Sequence, residues 1–330
     1  MAEDSIGRQQ DCTPIIAPRK SGQYSSPMMT RATAFILLAC FLIPASGLEL
    51  AVILGERNEA GEEFVSQLRK SLANSEWRIS AVTTADELPG NPAVLPAKLW
   101  ITLGVDATRA ALAAKKARPV YAALLSHATF VRLQQENALR RPSIPLGGLV
   151  LDQPVEISLR LIQILMPDKK RLGVLVGEET RELGAKLAQL AARFEMALEI
   201  EEASDTNLLA AANRLLARAD IFFVVPESRL YSPHNLRPLL LAAYRFQRPV
   251  IGDSAAFVQA GALAAVFMTP TQSAAQIGKF LRTHRKPPSG PTFPEQFTLA
   301  TNRQTAQALS IELPDESVLL RSLQNRRSAP

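Results

Sequence analysis

Beyond residue 47 the chain alternates short apolar runs with amphipathic stretches. Glu49–Leu54 (ELAVIL) has the uninterrupted apolar character of a buried strand, and Phe64, Val65 and Leu68 then recur at helical spacing within Glu62–Ser71. The same pattern predicts strands at Arg78–Val82, Lys98–Leu103, Pro119–Leu125 and Pro145–Leu151, with helices at Asp106–Ala117 and around Phe130–Arg140. The alternation then repeats. Ser158–Met166 is a helix stopped by Pro167, Arg171–Val176 a strand, Glu179–Phe194 a helix, Leu198–Glu201 a short strand and Asn207–Arg218 a helix. Ile221–Val225 is a fully apolar strand ended by Pro226. A helix at Arg237–Phe246, strands at Pro249–Gly252 and Leu263–Met268, and a helix at Ser273–Thr283 follow. Arg285–Pro294 holds four prolines and a glycine and reads as an irregular connector.

Strict strand–helix alternation implies parallel sheets covered by helices on both faces, and two successive units of similar size imply two doubly wound lobes. Ligands of such sheets sit beyond the carboxyl ends of the strands. That rule selects Gly55 and Glu56, Gly104 to Asp106, Ser126 and His127, Gly177 and Glu178, Pro226 to Ser228, and Gly252 to Ser254. Each is also explicable as a loop glycine or helix cap, and Asp106 reads mostly as a helix N-cap.

The first 47 residues have a different layout. Arg31 precedes a 12-residue apolar run, Ala32–Ile43, then Pro44, with the small residues Ala45 and Gly47 after it. The run is too short to span a bilayer, which takes about 20 apolar residues. It fits the core of a secretory signal peptide cleaved after Gly47. A buried helix, or lipid attachment at Cys40 in Leu37-Leu38-Ala39-Cys40, are the alternatives. Cleavage leaves 283 residues with a net charge of +5 and no cysteine.

Composition removes several function classes. Of 330 residues 47% are hydrophobic and 21% charged, a globular balance. The two cysteines, Cys12 and Cys40, exclude a disulfide-dense scaffold, a Cys-rich zinc site and a C-x-x-C redox pair. The histidines 127, 234 and 284 form no H-E-x-x-H helix, so no metal is expected. A net charge of +6 with few interleaved aromatics does not indicate nucleic-acid binding. No G-x-G-x-x-G follows the first strand and no phosphate-binding G-x-x-x-x-G-K-[ST] occurs, so no nucleotide or other cofactor is expected. Gly252-Asp253-Ser254 resembles the nucleophile element of some esterases. It lies late in the chain, and Leu281 stands three residues before His284 where the Asp of such enzymes' Asp-x-x-His would be. Ser254 without a positioned base is a weak nucleophile, so no catalytic residue is expected.

Three blocks, in order, resemble ABC-transporter substrate-binding proteins, in the group that includes aromatic-amino-acid binders. They are Met166-Pro167-Asp168-Lys169-Lys170-Arg171-Leu172-Gly173-Val174-Leu175, then Arg248-Pro249-Val250-Ile251-Gly252-Asp253-Ser254 continuing to Gly261-Ala262-Leu263-Ala264, then Thr301–Leu309 followed by Ile311 and Pro314. The resemblance implies a type I periplasmic-binding-protein fold: two Rossmann-like lobes, three hinge crossings and a ligand cleft between. On that pattern the chain crosses near Leu151, Gly261 and Pro287. Lobe one is then 48–151 plus 262–287, and lobe two 152–261 plus 288–330.

The implied protein is a periplasmic, monomeric solute-binding component of an uptake system, with a small-molecule ligand, an ABC permease in the inner membrane as partner, and no catalysis. The alternative is a sensor domain of the same fold that signals to a membrane receptor or kinase. The cleft is expected to be lined by Glu56, Gly104, Asp106, Ser126, His127, Glu227, Ser228, Asp253 and Ser254. The sequence also departs from the family. Gly104-Val105-Asp106 stands where members often place a Thr or Ser that caps a ligand carboxylate, and Ser126-His127 replaces a frequent Asp-Pro. An acidic residue at that helix start opposes an anionic group. Glu56 and Asp106 instead suggest a ligand with a cationic or hydroxyl-rich part.

Overall fold

The computed structural model describes residues 47–90, 96–227 and 229–325. The apolar run expected to be a signal-peptide core, with Cys40, and also Ser228 lie outside them, whereas Gly47 and Leu48, which flank the expected cleavage, are described. The first sheet contains β1 (Leu48–Leu54), β2 (Trp77–Thr84), β3 (Leu99–Leu103), β4 (Val120–Leu125), β5 (Leu146–Val150) and β11 (Gly290–Thr292). Their spatial order is β2-β1-β3-β4-β5-β11 and every pairing is parallel. The order reverses between β1 and β3, which opens a crevice at their carboxyl ends.

Side chains alternate across a strand, so a strand covered on both faces must be apolar throughout. Leu50, Val52 and Leu54 of β1 accordingly join one core cluster with α1 (Glu59–Leu72) and α9 (Pro270–Thr283). Ala51 and Ile53 join another, with α2 (Val105–Ala113) and α3 (His127–Arg140). Gly278 lets α9 lie tight against α1, since a Cβ there would sit 2.3 Å from the Ser71 Cβ.

The second sheet contains β6 (Arg171–Val176), β7 (Ala197–Glu202), β8 (Ile221–Phe223), β9 (Val250–Gly252), β10 (Ala264–Phe267) and β12 (Thr298–Thr301). Its order is β7-β6-β8-β9-β10-β12, and β12 alone runs antiparallel. Leu172, Val174 and Val176 face the side packed by α4 (Val155–Leu165), α5 (Leu183–Arg193) and α11 (Glu316–Asn325). Leu175 faces α6 (Leu208–Arg218) and α7 (Pro233–Arg245). Two short helices, α8 (Ala255–Ala260) and α10 (Arg303–Ala308), complete this half. Edge strand β7 is blunted by charge: Glu199 and Glu201 are bound by Arg214 and Arg218 of α6.

Two of the expected crossings move along the chain. Residues 264–267 pair with β9 and β12, so β10 belongs to the second sheet, although the sequence placed it in lobe one. The chain crosses at Met268–Thr269 instead. Met268 already packs in the first lobe's core, and Thr269 starts α9 through a capping box with Gln272. The return also comes later than Pro287, because Gly290–Thr292 pairs with β5. Phe297 is the next residue in the second core. Among the described residues no helix is long and apolar enough to cross a membrane.

Candidate ligand cleft

Residues that follow strands of the two sheets meet, Arg132 with Glu179 and Asp152 with Asp253, and the strand ends deliver polar groups there. In the first half Ser126 follows β4. Its Oγ accepts from the Thr129 N–H at 3.2 Å and donates to the Thr129 Oγ1 at 2.9 Å, which starts α3. The His127 N–H donates to Asp152 Oδ2, just beyond β5, at 2.5 Å. The His127 ring lies 5.4 Å from that of Phe293 on the returning segment. Burial pushes the Asp152 carboxyl up, against the pull of the His127 N–H. Further along α3, Arg132 Nη2 reaches Glu179 Oε1 in the second half at 3.1 Å.

In the second half the loop after β6 is built around one carboxylate. Glu227, beyond β8, is 2% exposed. Its Oε2 accepts from the Glu179 N–H at 3.1 Å and from the Thr180 hydroxyl at 2.9 Å. Thr180 Oγ1 in turn accepts from the Gly177 N–H at 3.0 Å. Gly177 is required by this packing: a Cβ would stand 2.7 Å from the Glu227 carboxyl. Oε1 of Glu227 meets no donor in good hydrogen-bond geometry, and the Arg229 N–H gives the carboxylate only a weak downward pull. Burial, and then the nearby Glu179 charge, push Glu227 up, against the Thr180 hydroxyl.

Tyr231 lies one turn on, its N–H donating to the Glu227 carbonyl at 3.2 Å. Its ring packs edge-on to Phe257 at 5.6 Å, and its buried hydroxyl has no partner. Burial, with Asp253 and Glu227 nearby, raises the phenol further. Asp253, beyond β9, is raised to about 6 by burial, opposed by a bond from Ser254 and reinforced by the charge of Asp152.

A match to the ABC transporter substrate binding protein family spans residues 97–325. The chain belongs to that family.

No curated protein matches the sequence. Solved structures share the substrate-binding-protein fold at low identity. One is the ABC domain in complex with L-Trp from Streptococcus pneumonia, 16% identical, covering 83% of this chain and 98% of that one at a TM-score of 0.58. Another is the ligand-free, open form of a substrate binding protein with adhesive properties from Clostridium difficile, 15% identical, covering 81% and 96% at 0.61. A third is a conserved domain protein from Vibrio cholerae, 18% identical, covering 83% and 98% at 0.58. The architecture is the two-lobe type I periplasmic-binding-protein fold.

In this substrate-binding protein, the described positions among those read from sequence follow the carboxyl ends of their strands. Glu227, Asp253 and Ser254 come together at adjacent strand ends, and Ser126 and His127 lie on the opposing side. Glu56 and Asp106 are exposed side chains. Asp106 is not the N-cap. That position is Gly104, whose φ of +86° suits glycine, and its helix carries no side-chain cap. Ser126 acts as a helix cap, and Ser254 begins α8 while bonding Asp253. Sequence reasoning missed Arg132, Asp152, Glu179, Thr180 and Tyr231. Asp152 and Glu179 were within reach of the same post-strand rule. Nothing in the sequence singled out Arg132 or Tyr231. Concavities of about 670 and 520 Å³ lie away from this group, lined by Gln296 to Leu299 with α11 and by Thr301 to Gln304 respectively.

Proposed function

We propose that the protein is the periplasmic ligand receptor of an ABC uptake system, closing two lobes over a small molecule and presenting it to an inner-membrane permease without transforming it. The observation that carries this reading is the Arg132–Glu179 pair, which joins the two sheets' carboxyl edges across the cleft. A pair that forms only when the edges meet is what a closing receptor needs. The buried polar groups beneath it supply orienting contacts. Ser254, the serine with an esterase-like sequence setting, bonds Asp253, and in this reading it belongs to the binding surface.

The test is native mass spectrometry of the protein recovered from its own periplasm, with small-angle scattering before and after ligand removal. Expected are a stoichiometric small-molecule adduct and expansion when it is stripped. A protein with no adduct and scattering unchanged by dialysis or by added solutes would overturn the reading.

A further inference from the structure

The cleft side of the second lobe carries an imbalance of charge that its own side chains do not resolve. Asp152, Glu179, Glu227 and Asp253 converge there. Asp152 acts on Asp253, and Asp253 and Glu227 both act on Tyr231. The Arg132 guanidinium engages Glu179. Among the described residues, the buried polar atoms of this group without a hydrogen bond include two on the second lobe, Oε1 of Glu227, on a residue 2% exposed, and the hydroxyl of Tyr231, together with Nε of Arg132 and Oε1 of Gln153. A buried oxygen lacking a donor is costly, and more so when it belongs to a carboxylate. The two second-lobe atoms lie on one turn, tied by the Tyr231 N–H to the Glu227 carbonyl.

From this arrangement we infer that the ligand carries a cationic nitrogen, an ammonium or guanidinium, which the second lobe holds at Glu227 and Asp253 with Tyr231 as a further polar contact. The inference rests on the solute-binding reading and names the ligand class for that cleft. The donor inventory fits. A cationic nitrogen offers several N–H groups and no acceptor, which matches carboxylate oxygens that need donors. A metal ion does not fit, because among the described residues no three His, Cys, Asp or Glu side chains are grouped to hold one. An organic cation can reach groups spread over three strand ends. It would be coupled to closure as well, since the carboxylate that holds it also positions the Glu179 backbone through the 3.1 Å bond to Oε2.

The experiment is thermal-shift and calorimetric titration of the purified protein with putrescine, agmatine, arginine and tyramine. The opposing probes are ribose, myo-inositol, uridine and 4-hydroxyphenylacetate, the last an anionic counterpart of tyramine. At least one cationic probe is expected to bind saturably, and Glu227→Gln to weaken it about 10- to 100-fold. Asp253→Asn serves as a second variant should Glu227→Gln fold poorly. Binding confined to neutral or anionic probes, or cation binding indifferent to both substitutions, overturns the inference and leaves the solute-binding reading standing. Response to none of the eight also overturns it, while the adduct measurement above judges the solute-binding reading separately.

Discussion

Arg132 of α3 and Glu179 of the loop after β6 meet at 3.1 Å, with the Glu179 side chain only 6% exposed and that of Arg132 31% exposed. One belongs to the first sheet's layer and the other to the second's. The pair therefore reports the relative position of the two halves. The Glu179 backbone is fixed from the other side by Glu227, so the loop presents its carboxylate from a rigid seat.

Arg132→Ala leaves Glu179 without its guanidinium. Were the carboxylate to stay buried the loss would be about 3 kcal/mol or more. Opening the cleft lets water reach it, which relieves that cost without unfolding either sheet. The expected outcome is a larger radius of gyration by small-angle scattering with a nearly unchanged melting temperature. Scattering identical to the parent would show that the pair does not hold the closed form.

Asp253 gives a pH dependence of defined sign. Its carboxyl is raised to about 6 in the folded protein, against an ordinary value of 3.8, because it is buried. Between those values the folded state holds the proton more tightly than the unfolded one, so stability falls as pH rises from about 4 to about 6 and then levels. Asp152 and Glu227 are raised by burial too and act in the same direction. Asp253→Asn is expected to stabilise the protein at pH 7.5. Each factor of ten in proton affinity is worth about 1.4 kcal/mol, which puts the ceiling near about 3 kcal/mol. The gain should vanish by pH 4. Urea denaturation at both pH values is the measurement, and a gain that grows toward acid would contradict the assignment.

Gly177→Ala forces a methyl group to within 2.7 Å of the Glu227 carboxyl. Backbone hydrogen bonding through Thr180 fixes the loop, so the carboxylate must move or the strand end must shift. Overpacking of this kind costs about 1–3 kcal/mol. Equilibrium unfolding should show that loss. A variant within about 0.5 kcal/mol of the parent, the usual range for a harmless surface change, would mean the site yields freely.

Ser126→Ala removes the side-chain acceptor at the start of α3, a change worth about 1 kcal/mol. Because α3 carries Arg132, the same substitution should also loosen closure. Ser126→Asp retains the cap and should restore stability. Thermal melts of the two variants check this, and equal destabilisation by both would argue that capping is not what Ser126 contributes.

Much of the fold was legible because its strands are short apolar runs flanked by turn residues. Runs such as Leu50–Leu54 of β1 and Leu172–Val176 of β6 are apolar on both faces because helices cover both. The crossings were less legible. Gly261 looked like a hinge, but its φ of +121° ends α8 just before β10 enters the second sheet. Strand β11 is Gly-Pro-Thr and carries no hydrophobic pattern, so it vanished into a proline-rich connector. At the cleft, Glu227 and Asp253 were found by position after a strand. Arg132 resembled any solvated helix arginine, since its partner lies 47 positions away and only the tertiary fold brings them together.

The first sheet takes its last strand, β11, from residues 290–292 of a 330-residue chain. Helix α9, which covers Phe64 and Leu68 of α1, is made nearly as late. A nascent polypeptide therefore cannot complete its amino-terminal lobe until residues 270–292 have been synthesised. Until then the face of α1 that α9 covers lacks its partner helix, so the first lobe's core is closed by a segment made after most of the second lobe's sheet.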